Sequence, residues 1–143
     1  MRQLSLSESV VPALNASRAH FDGNLRLIGF TCTDGLQLLG SHVGGVLLLD
    51  GAQLGTSEIA LDGTLLKVGS DFVGQNGLLC HGALRLLNAS VGGALRLEGA
   101  HIYNPGGVAV DARNLTVGTL ANCCDGFTAE GTVRFCTAHT DGR

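Results

Sequence analysis

With 143 residues, a net charge of −3 and 15% charged side chains, the chain has the size of one domain and lacks a basic patch to neutralise phosphates, so nucleic acid and anionic membrane are not expected partners. Aromatic residues make up only 4%, Trp is absent and glycines number 22, so the core must be built from Leu, Val, Ala and a few Phe. That composition suits a narrow interior of small aliphatic layers. No apolar run reaches the length needed to cross a bilayer, and MRQLSLSESVV at the N-terminus lacks the apolar centre of a signal peptide, so a cytoplasmic location is expected.

In chain order, residues 1–12 read as an N-terminal strand or cap, with Leu4 and Leu6 in alternation. Residues 13–143 read as repeats. Inward pairs with one residue between them follow at short, regular intervals: Leu25/Leu27, Phe30/Cys32, Leu36/Leu38, Ser41/Val43, Leu47/Leu49 and Ala52/Leu54. After a looser middle the series resumes at Leu84/Leu86, Ala89/Val91, Leu95/Leu97 and Ala100/Ile102. Alternation with period two predicts strands of about three residues each, and no pattern of period 3.6 competes with it.

A longer period lies over the short one. Leu36, Leu84 and Val133 open matching segments, and ALNA at Ala13, ALDG at Ala60 and AVDA at Ala109 open the intervening ones. The spacing is about 48 residues, which at four strands per turn gives two coils of about 24 residues each, the mark of a stacked solenoid. The expected fold is all-β: a right-handed, four-sided parallel β-helix of about five coils, with Leu36, Leu61, Leu84, Val110 and Val133 in one interior column. Its double-coil units start near 13, 60 and 109, the last one incomplete. Glycines recur where the chain must turn, after the second strand (Gly44-Gly45, Gly69, Gly92-Gly93, Gly118) and before the fourth (Gly29, Gly51, Gly77, Gly99, Gly126), as sharp corners require positive φ or a missing Cβ.

The combination GG-x-L-x-L-x-GA-x-I-x-NPGG at 92–107, with DGF-x-AEG-x-VR at 125–134, resembles a repeat family abundant in actinobacteria whose members often carry the name "membrane-associated oxidoreductase". The resemblance runs from about Ala13 to the end of the sequence. It implies a right-handed parallel β-helix related to pentapeptide-repeat proteins, although coils of 22 to 26 residues depart from the regular 20-residue coil of those relatives. It brings no catalytic motif to place on these residues.

Four groups of residues could carry chemistry. The middle residues of the first strand put Asp62, Arg85, Asp111 and Arg134 on one outer face with alternating sign. This is either an acid–base carboxylate pair or, in the plainer reading, a solvated ladder that favours correct register. The middle residues of the second strand make His20 and His42 neighbours, which suggests a surface metal pair, but Lys67 follows them and no third ligand is evident, so exposed imidazoles compete with that reading. Of the five cysteines, Cys32 and Cys80 fall on inward positions of the fourth strand, two coils and about 10 Å apart, too far for a disulfide. Cys123 and Cys124 sit in the irregular ANCCDG corner, where a reactive thiol is conceivable, and Cys136 completes the set. No GxGxxG or GxxxxGKS/T fingerprint precedes a helix, so no nucleotide or other cofactor is expected.

The function expected from this pattern is a non-catalytic scaffold or protein-interaction module. The expected partner is protein, most simply another copy meeting the open end formed by Val133, Phe135, Ala138 and Thr140. Two alternatives stand beside it: an enzyme, either an oxidoreductase by the family name or a carbohydrate-acting protein by analogy with other β-helices, and a DNA mimic. The corners all look short, which argues against the walls of a catalytic cleft, and a charge of −3 is slight for a DNA mimic.

Overall fold

The computed structural model describes residues 4–5, 9–75, 77–122, 127–134 and 139–140. Among them there is no helix; short parallel strands stack in register as a β-solenoid of about five turns. No helix is long and apolar enough to cross a membrane among the described residues.

Each coil has four faces. The first carries Leu14–Asn15, Leu36–Gln37, Leu61–Asp62, Leu84–Arg85, Val110–Asp111 and Val133–Arg134, each paired in parallel with the next. The second stacks His20–Phe21, His42–Val43, Lys67–Val68, Ser90–Val91, Thr116–Val117 and His139–Thr140. The third begins with Leu4–Ser5 and continues through Leu25–Arg26, Leu47–Leu48, Phe72–Val73, Leu95–Arg96 and Ala121–Asn122. The fourth runs from Val10–Val11 through Thr31–Cys32, Gln53–Leu54, Leu79–Cys80 and His101–Ile102 to Thr128–Ala129. The second and third faces are separate six-stranded sheets. The fourth and first merge into one eight-stranded sheet, because the strands Gln53–Asp62, Leu79–Arg85, His101–Asp111 and Thr128–Arg134 run across the corner between them. Residues before Pro12 thus enter the third and fourth columns directly.

The interior is the aliphatic column that period-two alternation demands. Leu36, Leu61 and Leu84 are fully buried and Val110 nearly so, and both members of every inward pair from Leu25/Leu27 to Ala100/Ile102 named above are buried. Ser41 is the one hydroxyl in these pairs; it donates to the Ala16 carbonyl one coil below, so its burial leaves no polar atom unsatisfied.

The corners use two devices. Between the second and third faces the reason for glycine is contact: a Cβ on Gly69 would lie 2.3 Å from the Gly44 carbonyl oxygen, and Gly92 and Gly118 repeat the clash one coil higher each time. Between the third and fourth faces the reason is conformation, with Gly29, Gly51, Gly77 and Gly99 at φ between 68° and 93°. The corner between the first and second faces also turns through the left-handed region, but with Arg18, Leu65, Asn88 and Asn114 at φ of 58° to 62°, alongside Gly40 at 67°. Glycine counting does not find this corner, since four of its five left-handed residues have side chains.

Candidate functional site

Chain length between equivalent inward residues is constant around two corners, differs by one residue between coils at the third (seven from Leu47 to Leu54, eight from Phe72 to Cys80), and varies most at the fourth. First to second face always takes seven residues (Leu36 to Val43, Leu61 to Val68, Leu84 to Val91, Val110 to Val117), and second to third always four. Fourth to first takes four residues from Cys32 to Leu36 and from Cys80 to Leu84. It takes seven from Leu54 to Leu61 and eight from Ile102 to Val110. The 48-residue double period therefore arises mainly from the corner between the fourth and first faces, which is alternately short and long. The sheet absorbs the extra residues as irregularities between Gly55 and Leu61 and between Tyr103 and Val110.

A short corner between two long ones leaves a gap. The recess there has a volume of about 500 Å³. Ile59 from the lower long corner and Ala83 from the short one provide apolar surface, and residues 104–108 (Asn-Pro-Gly-Gly-Val) form the upper wall. Arg85, Asp111 and Arg113 line it from the first face. The upper wall is held in shape: Asn104 Nδ2 donates to the Val108 carbonyl at 2.9 Å, and Gly131 of the next coil lies so close above that a Cβ there would meet the Asn104 carbonyl oxygen at 2.5 Å. The expectation of short corners throughout is corrected here, because inserted small and polar residues carry no periodicity by which to be noticed.

The charge column has the anticipated register, Asp62 opposite Arg85, Arg85 opposite Asp111, and Asp111 opposite Arg134. The carboxylates, however, turn along their own chain. Asp62 Oδ1 accepts from the Thr64 amide at 3.2 Å and the Thr64 hydroxyl at 2.7 Å. Asp111 is buried, with 7% of its side chain exposed, and takes both Nε and Nη2 of Arg113 at 2.8 Å. Asn15 likewise accepts from the Ser17 amide at 3.0 Å. These are turns in which an Asx side chain caps the amide two residues on, a closer donor than a guanidinium one strand away. The motif N-x-S, D-x-T, D-x-R at 15, 62 and 111 is the sequence signal for it. Arg85, half-buried, makes no ion pair within 4 Å and no side-chain hydrogen bond among the described residues. A solvated ladder of cross-strand pairs is therefore not what Asp62, Arg85 and Asp111 form. The hydrogen bonds from Arg113 hold the Asp111 carboxyl below its ordinary range, against the opposing effect of burial, and the nearby positive charge of Arg85 adds to the lowering. The side chain of Arg134 lies outside the described residues.

His20 and His42 are stacked neighbours with ring centroids 4.6 Å apart, edge to face, and His20 Nε2 lies 3.1 Å from Asp22 Oδ1. No group of three or more metal-ligating side chains occurs among the described residues. On the fourth face Cys32 and Cys80 both stand opposite Leu54, buried and free. Cys32 Sγ donates to the Gly35 carbonyl at 3.0 Å, and burial pushes the Cys80 thiol up to about 12, which makes it a poor nucleophile. Cys123, Cys124, Cys136, Phe135 and Ala138 lie outside the described residues; Thr140 is placed as a strand residue opposite Val117, and Val133 is 40% exposed.

No family model, curated protein or solved structure matches this chain. The site has to be read from its own geometry.

Proposed function

We propose that the protein is a non-catalytic β-solenoid scaffold that works by contact with other proteins, a second copy of itself among them. The observation that carries this reading is the inward column of the first face. Val133 is 40% exposed, whereas Val110 and Leu84 beneath it are 2% and 0% exposed. An inward-type side chain left in water forfeits roughly 25 cal/mol per Å² of apolar area, and among the described residues no strand lies beyond Thr128–Arg134 in its sheet, so its outer edge is the place for a further strand to pair. A strand laid on that edge satisfies both at once, and a two-fold arrangement lets each copy supply it.

The chemistry-bearing side chains support a structural role. Asp62 and Asp111 cap turns, Cys80 is a buried thiol whose pKa is raised, and Cys32 is tied to a backbone carbonyl. Each of these groups is occupied in holding the coil together.

Sedimentation equilibrium at tens of micromolar tests the reading. A mass near twice that of the monomer is expected, with Val133→Asp shifting it to the monomer while the β-sheet circular dichroism is retained. A wild-type chain that stays monomeric through this range overturns self-association.

A further inference from the structure

We propose that the recess at the alternating corner is a binding site for a small organic carboxylate, a monoanion with a compact apolar body, and that Arg85 is its anchor. This inference is independent of self-association, since the recess lies on the side of the coil and not at the exposed edge around Val133.

Three observations converge on it. The first is the guanidinium. Arg85 is half-buried at the recess, its register neighbours Asp62 and Asp111 face it on either side, and both carboxylates are already committed to donors on their own turns. A guanidinium presents a planar fork of donors that matches a carboxylate two bonds at a time. The arrangement delivers that fork to the recess instead of spending it inside the protein.

The second is charge. Among the described groups that line the recess two guanidinium groups, Arg85 and Arg113, face one carboxylate, Asp111; Asp62, opposite Arg85 on the next strand, lies outside the lining and accepts from Thr64. One positive charge balances a carboxylate; a phosphate dianion would bring an excess negative charge close to the buried Asp111 carboxylate.

The third is shape. About 500 Å³ lies within the range of small-molecule sites, and Ile59, Ala83 and Val108 give it apolar surface against which a ring or branched chain can pack. The wall is formed in advance by the Asn104–Val108 hydrogen bond and by Gly131 above it, so little ordering cost falls on the ligand. Gly106, at φ 81° with open space where a Cβ would be, leaves the rim unobstructed.

The test is calorimetric titration of the full chain with benzoate, its neutral isostere benzamide, and inorganic phosphate. Saturable benzoate binding at one site per chain is expected, at least about tenfold tighter than benzamide, with phosphate weaker than benzoate. Arg85→Gln should weaken benzoate about tenfold or more and leave benzamide unchanged, and Arg85→Lys should fall between. Arg96→Gln, on the third face, should change nothing. The wild-type comparison of benzoate with benzamide needs no variant to fold. Equal affinity for the two, no saturation by benzoate up to 10 mM, tighter binding of phosphate, or an Arg85→Gln chain that binds benzoate like wild type would each overturn the proposal.

Discussion

Between the second and third faces the chain turns in four residues in every coil, from Phe21 to Leu25, Val43 to Leu47, Val68 to Phe72 and Val91 to Leu95. Diagonally across the coil, between the fourth and first faces, the chain passes in as few as three residues (Val11 to Leu14) or as many as eight (Ile102 to Val110). The difference lies in what each corner touches. At the first, successive turns stack backbone on backbone, and the amides of Gly44, Gly69, Gly92 and Gly118 each donate to a carbonyl one coil below. An added atom there has nowhere to go. At the second, Tyr103, Pro105 and Gly106 of the longest turn are exposed to solvent, and the ladder resumes in register once the extra residues have passed. A solenoid can thus keep its rise fixed at one corner and vary its surface at the opposite one, which is where the recess lies.

Substitution at the constant corner should have the largest effect. Gly69→Ala places a methyl group 2.3 Å from the Gly44 carbonyl oxygen, and that backbone, fixed in the stack, cannot yield; a loss of about 3 kcal/mol is expected by chemical denaturation. A loss under about 1 kcal/mol would show that the stack is looser than its geometry.

The next effect lies at the alternating corner. Asp111→Asn weakens a buried carboxylate–guanidinium pair, of which the Arg113 half is 37% exposed, so the loss at neutral pH should be about 1–2 kcal/mol. The pH dependence has a definite sign. The folded carboxyl titrates below its ordinary value of 3.8, so its contribution to stability is present above that value and is lost as pH falls through the lower, folded value. Wild type and Asp111→Asn should therefore converge in stability on acidification below about pH 4; curves that remain parallel would remove the ion pair from the account.

A smaller effect, and of opposite sign, belongs to the corner between the first and second faces. Leu65 is 52% exposed at φ 62°, a conformation that costs a leucine about 1 kcal/mol and an asparagine less. Leu65→Asn should raise the thermal midpoint, by about 0.5 kcal/mol in stability. A drop instead would mean that the leucine's contacts outweigh its backbone strain.

The columns could be read from the sequence because side-chain period two leaves no freedom. Once Leu36, Leu61, Leu84 and Val110 are placed inward, Gln37, Asp62, Arg85 and Asp111 must line up outside them. What an outward side chain then bonds to is a separate matter. Asp62 and Asp111 each chose between a neighbouring strand and the amide two residues on, and local geometry decided for the amide. The left-handed turn at Arg18 and Leu65 was hidden because neither residue advertises positive φ. The recess was hidden for a different reason: residues 55–59 and 103–108 show up only as a lengthened spacing, and a spacing does not say whether extra residues fold flat or stand up as a wall.

Matched insertions compare the two corners most directly. Two glycines placed between Pro105 and Gly106 lengthen a corner that already projects into solvent, where added loop length costs well under about 1 kcal/mol. The same two glycines between Gly92 and Gly93 separate a stacked turn from its carbonyl partners at Val68 and Ser70. Denaturant unfolding of the two insertion variants should give wild-type stability for the first and a loss of at least about 3 kcal/mol, or failure to fold, for the second. Equal losses at both corners would contradict the claim that this solenoid varies its surface at one corner while the opposite corner sets its rise.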